Sequence, residues 1–256
     1  MQTLPADARQ AMSWTWADFE PHYQKLANAE LTQETFSQWL KDWTELSETL
    51  NEISSRLYVA TSVNTEDSAA EEALMTFVRT IEEQTQGWEQ KLKEKMLASG
   101  LTLPGLEYPL QQAKLSAEIF REGNIPRFTA LVELGNEFDK MCGAQTVEWE
   151  GKEVSLSALK LPLQSEDRSV REQAFRVRHN RILADRSKYN ELWAKAYDIR
   201  IEVAKEAGFA SFTDYQYKAM GRLDYSQKDC DSFRTAIAET VVPAMERIMK
   251  RRAEQL

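Results

Sequence analysis

At 256 residues the chain can bury a substantial core, as one large domain or two smaller ones. Its 29% charged and 42% hydrophobic residues describe a globular rather than a disordered polypeptide. With 32 basic against 41 acidic residues the formal charge is −9, which argues against a general affinity for nucleic-acid phosphates.

The opening MQTLPADARQAMSWTW lacks a basic stretch followed by an apolar run, so no signal peptide is expected. No run reaches the roughly eighteen apolar residues of a membrane span. Cys142 and Cys230 are too few for a disulfide framework and fit a reducing compartment. A soluble, cytoplasmic protein is expected, without membrane or nucleic-acid partners.

Helical spacing dominates. From Thr32 to about Tyr58, the residues Phe36, Trp39, Leu40, Trp43, Leu46, Leu50, Ile53 and Leu57 recur every three or four positions, the apolar stripe of one long helix. Trp39 and Trp43 sit one turn apart and fit packing against a neighbouring helix better than a ligand. A second stripe runs through Leu74, Phe77, Val78, Ile81, Trp88, Leu92 and Met96, with Ser68 and Glu71 spaced as a capping box at its start.

Pro104-Gly105 breaks the pattern, and Pro109 suits the first turn of the next helix. Asn124 is placed to cap another, from about Pro126 to Met141, which Gly143 would end. Thr146 to Leu156, TVEWEGKEVSL, alternates apolar and polar residues about Glu150-Gly151, a hairpin signal with Gly151 supplying a positive φ. Helix then resumes from about Asp167 to Ala207, with a break near Asp185-Arg186. After an aromatic connector from Phe209 to Tyr217, Ser226 and Asp229 can cap a last helix that Pro243 kinks or restarts. No C-capping glycine precedes Leu256, so an element cut before its end is expected. The fold class is mainly α: long antiparallel helical hairpins with one small β-hairpin.

Catalytic signatures are scarce. The only histidines, His22 and His179, begin HYQKL and HNRIL, neither of them H-E-x-x-H. A site joining them to Cys142 and Cys230 has no supporting spacing. No serine has a strand-turn-helix context for G-x-S-x-G, and no phosphate-binding glycine loop occurs. No catalytic residue, metal ligand or cofactor is assigned. The segment DRSVREQAFRVRHNRILADR is more distinctive. At about 100° per residue, Arg168, Arg171, Arg178 and Arg186 share one arc, interleaved with Phe175 and Ile182. Arg171, Arg178 and Arg168 are therefore candidate substrate-binding residues, a guanidinium wall for peptide carboxylates. The alternative is a solvated face paired with Asp167, Glu172 and Asp185.

Three stretches resemble the N-terminal half of the oligoendopeptidase F family, zinc metallopeptidases related to thimet oligopeptidase. They are WTWADFEPHYQKLANAELTQETFSQWLKDWTEL, TVEWEGKEVSLSALKLPLQSEDRSVREQAF and LWAKAYDIRIEVAKEAGFASFTDYQYKAMGRLDYSQKDCDSFRTAIAETVVPAMERI. The second carries the family's D-R-x-x-R-x-x-A start at Asp167, Arg168, Arg171 and Ala174. In the third, Arg200, Ala204, Lys205, Gly208, Phe209, Asp214, Tyr215, Arg222, Asp224, Tyr225 and Pro243 match the family's series.

The resemblance implies the N-terminal lobe of a two-lobed channel that admits short peptides, within a zinc-dependent oligoendopeptidase. The family's H-E-x-x-H and its assisting residues would lie beyond Leu256, so zinc is expected only in a complete enzyme containing the C-terminal half, and this chain alone is expected to be inactive. The implied organisation is residues 1–106 as N-terminal helical hairpins, 107–199 as a helical domain with the β-hairpin near 146–156, and 200–256 as the incomplete beginning of the catalytic domain. Expected partners are short peptides, and the missing C-terminal half or a second copy on an exposed face. The alternative is a stand-alone helical module, derived from that fold, that binds a peptide or protein.

Overall fold

The computed structural model describes residues 3–255. Helix α1, Trp16–Asn28, begins where the Thr15 backbone N–H donates to the Asp18 carboxylate at 2.8 Å. Helix α2, Phe36–Val63, buries Phe36, Trp39, Leu46, Leu50 and Ile53, the stripe legible in the sequence. Trp39 and Trp43 do pack inside the lobe. The Trp39 indole N–H donates to the Leu26 carbonyl at 2.9 Å, so its polar edge is satisfied within the core.

Helices α3, Ser68–Phe77, and α4, Glu83–Ser99, are joined by a π turn over Val78–Glu82. There the Glu83 N–H reaches back five residues to the Val78 carbonyl, so the chain carries one residue more than a regular helix would. The start differs from the expected Ser68 box. Asp67 is the cap, accepting from the Ala69 and Ala70 N–H groups at 3.0 Å, and Ser68 is already helical. Glu71 is drawn away to α6, spanning Ile125–Gly143, where it accepts from Asn136 at 2.8 Å and pairs with Lys140 at 2.7 Å.

Helix α5, Glu107–Ile119, comes after the Pro104-Gly105 turn and leads into α6. The bounds expected of α6 hold, but the residues at its two ends serve non-local contacts instead of capping it. Asn124 makes no side-chain cap; it is buried and donates to the Val203 carbonyl at 3.0 Å while accepting from Arg127 at 2.9 Å. Gly143 does end α6 as expected, but without a left-handed cap; a Cβ there would stand 2.2 Å from the Thr65 hydroxyl oxygen, so the glycine also serves close approach.

Strands β1, Thr146–Trp149, and β2, Lys152–Ser155, pair antiparallel with Val147 opposite Val154. The turn needs positive φ at both Glu150 (51°) and Gly151 (75°), a tighter demand than glycine alone announces. Helices α7, Arg168–Ala184, and α8, Arg186–Glu206, break at Asp185 as expected. The aromatic connector is partly helical: α9, Phe212–Ala219, is capped by Ser211, which accepts from the Asp214 N–H. Helix α10, Gln227–Ala236, has the expected Ser226–Asp229 capping box. It passes through a second π turn, Ile237–Val241, into α11, Val242–Gln255. Pro243, which cannot donate, falls just after that turn.

Two cores result. Helices α1, α2 and α4 enclose the larger, centred on Phe19, Tyr23, Phe36, Leu46, Ile53 and Leu92. The smaller joins Ile119 at the end of α5 to Val203, Ala204 and Ala207 at the end of α8 and to Tyr215 of α9. Between them α6 is stitched to the α3–α4 helix by Arg79–Glu133 and by Thr129, whose hydroxyl donates to Glu83 at 2.6 Å.

Candidate functional site

The arginine arc divides by environment. Arg171 is half-buried and its guanidinium donates to the carbonyls of Ser165 and Glu166, at 2.7 and 2.8 Å, closing the loop that enters α7. Arg168 is exposed at the first turn. Arg178 is half-buried, with no carboxylate in ion-pair range among the described residues. The pairs expected nearby are formed by other arginines: Arg176 with Glu172 at 2.6 Å, which is solvated, and Arg181 with Asp185 at 2.5 Å, which is largely covered. On the outer side of α7, Phe175 is exposed and stacks on His179 at 3.9 Å.

The α7–α8 corner joins Asp185 and Cys142 to Gln145 and Tyr189, two residues that the sequence pattern does not single out. Buried Gln145 donates to Asp185 and to the Tyr189 hydroxyl, each at 3.0 Å, and Cys142 lies 3.5 Å from that hydroxyl. The Gln145 and Arg181 donors hold the Asp185 carboxyl below the usual range, and burial followed by Cys142 pushes the Tyr189 phenol up. Beside it opens a cleft of about 470 Å³ whose lining mixes Lys140, Arg181 and Lys188 with Glu137 and Glu191, so neither sign dominates.

Another polar cluster stiffens the larger core. Glu89 on α4 accepts from the Tyr23 hydroxyl and the Trp43 indole, each at 3.0 Å, and from Ser47 at 3.3 Å. Burial, then the Glu89 charge, drives the Tyr23 phenol far above its ordinary range. Two turns earlier, in the π segment, burial raises the Glu82 carboxyl while Ser54 donates to it at 3.3 Å.

A third feature is apolar. Between α6 and α8 runs a groove of about 480 Å³, with Phe138 and Trp193 at its margins. Farther on, the surface of α10 and α11 leaves Phe233, Val241, Val242, Met245, Ile248 and Met249 exposed, and neither helix has a buried residue.

Zinc does not fit the donors present. Among the described residues no three of His, Cys, Asp and Glu gather as a metal site. His22 is buried against Trp14 in the larger core, whereas His179 stacks on Phe175 of α7. Both cysteines are free thiols.

Sequence comparison adds two matches. Residues 8–103 match the Peptidase M3 N-terminal domain, and residues 161–256 match Peptidase family M3. This chain belongs to peptidase family M3.

The fold of this M3 chain is shared with solved peptidases. It superposes on PZ peptidase A with inhibitor 2 with a TM-score of 0.85, at 18% identity, over 99% of this chain and 45% of that one. A protein assigned to oligoendopeptidase F from Bacillus anthracis str. Ames gives 0.80 at 19%, over 97% of this chain and 46% of that one. Oligoendopeptidase-F from Enterococcus faecium gives 0.60 at 13%, over 82% and 46%. The M3 chain thus spans less than half the length of these structures. No curated protein matches it significantly. The mainly α fold and the peptidase family read from the sequence are both borne out. No helix among the described residues is long and apolar enough to cross a membrane.

Proposed function

We propose that this chain is the N-terminal, channel-forming part of a zinc-dependent oligoendopeptidase that hydrolyses short peptides in the cytoplasm. The observation that carries the reading is the uncovered apolar side of α10 and α11, in a chain whose M3 fold matches under half of each solved peptidase. A C-terminal catalytic half packed on that side would supply the zinc and its chemistry: metal-activated water and a polarised scissile carbonyl. This chain's own contribution is the channel wall. Arg168 and Arg178 offer guanidinium groups to peptide carboxylates, with Arg171 fixing the loop from which their helix starts.

Co-expression of the chain with a separate M3 catalytic segment bearing H-E-x-x-H tests the proposal. The two are expected to co-purify and to cleave a quenched fluorescent peptide in a chelator-sensitive way, which the chain alone does not. Failure to associate, with α10–α11 remaining a soluble monomer surface, would overturn it. The α6–α8 groove, formed wholly within this chain, favours the second reading, a stand-alone peptide-binding module.

A further inference from the structure

We propose that the α6–α8 groove binds a short peptide by its C-terminal residue, with an apolar side chain in the groove and the terminal carboxylate on Arg200. The choice of a peptide as ligand rests on the proposed peptidase role of the chain. The groove's volume, about 480 Å³, suits one or two apolar side chains and lies in the usual range for ligand pockets.

Its walls are preorganised. Phe138 is held edge-on by Tyr189 at 5.7 Å, and Trp193 by Tyr197 at 5.6 Å with their planes at 90°. Despite these contacts Phe138 remains 44% and Trp193 54% exposed, so both rings present area that nothing in the chain covers.

Gly135 in the interior of α6 lines the same groove, and a Cβ built there would meet nothing within 4 Å. Glycine in a helix costs stability relative to alanine, and no internal neighbour demands it at this position. Its effect is to keep the groove open.

Arg200 is the only charged residue lining the groove among those described. It is half-buried and has no ion-pair partner among the described residues. Its guanidinium lies 5.9 Å from the centre of the Phe212 ring. A planar cation at the end of an apolar trough, without an internal carboxylate, is complementary to a ligand that pairs an apolar side chain with an anion.

The test is calorimetric titration of the whole chain with acetyl-Ala-Ala-Phe as the free acid and as its C-terminal amide. The acid is expected to bind roughly tenfold more tightly than the amide, the scale of one charge-assisted contact. Arg200→Gln should bring the acid to the amide's level. Gly135→Leu should abolish binding of both without lowering the thermal midpoint, and Trp193→Ala should weaken both equally. Equal binding of acid and amide, or acid binding indifferent to Arg200→Gln, would overturn the assignment. So would a sedimenting dimer that Gly135→Leu dissociates, since a second copy would then occupy the groove. Because binding is read on this chain alone, failed complementation by a catalytic half leaves the result standing, and the reverse holds too.

Discussion

The lobe of α1, α2 and α4 and the terminal α10–α11 helix both carry regular series of apolar side chains but use them oppositely. In the lobe, Phe19, Phe36 and Leu46 are completely buried, and the polar edges of Trp39, Trp43 and Tyr23 end on acceptors inside the chain. The core of the lobe is closed within the chain. In α10–α11 the series Phe233, Val241, Met245 and Ile248 faces solvent. Amphipathic spacing therefore marks an apolar face without declaring what covers it.

Substitution sharpens the contrast. Leu46→Ala should cost about 2–5 kcal/mol in chemical unfolding, because it leaves a cavity in the fully buried core. Met249→Ala, on the uncovered helix, should change stability by no more than about 0.5 kcal/mol. Comparable losses at both positions would mean that α11 is covered in solution.

A smaller effect tests the joint between α6 and the loop after α2. Gly143→Ala should destabilise by about 1–3 kcal/mol, because the new methyl overlaps the Thr65 side chain. Combining it with Thr65→Gly should recover much of that loss in a double-mutant cycle. Additive losses would show that the approach is not what selects glycine.

The smallest expected effect is a pH dependence. Burial raises the Glu82 carboxyl in the fold, so the folded chain holds that proton to a higher pH than the unfolded chain does. The contribution favours the folded state at low pH and is lost as pH rises from the ordinary carboxylate range through the elevated value. Glu82→Gln should flatten that part of the stability profile and leave the acid side nearly unchanged. An identical slope in the variant would locate the titration elsewhere.

The features legible in the sequence are local. The stripe of α2, the Ser226–Asp229 box, the break at Asp185 and the hairpin at Gly151 all depend on residues within a few positions of one another. What the sequence does not show is mostly long-range. Asn124 stands at the cap position, but Val203, far along the chain, takes its amide, and Gly143 ends its helix while also meeting Thr65, which no local pattern places beside it. The candidate site shows the same division. The arginine arc is visible as a periodicity, but not that Arg171 spends its donors on Ser165 and Glu166. The groove leaves no such trace, because its walls come from two helices separated by a hairpin and a third helix.

The π turn at Val78–Glu82 makes this helix sensitive to length rather than to chemistry. It absorbs a single surplus residue, and each residue of a regular α-helix advances the azimuth by about 100°. Were the same residues wound as regular α-helix, the whole of α4 would swing by more than a quarter revolution. Leu92 and Met96 would rotate out of the core, and Glu89 away from Tyr23 and Trp43. Losing one residue inside the turn would instead leave α4 facing as it does, whereas losing one from the middle of α4 would not. The turn acts as a phase shifter, setting two stretches of one rod to face different neighbours.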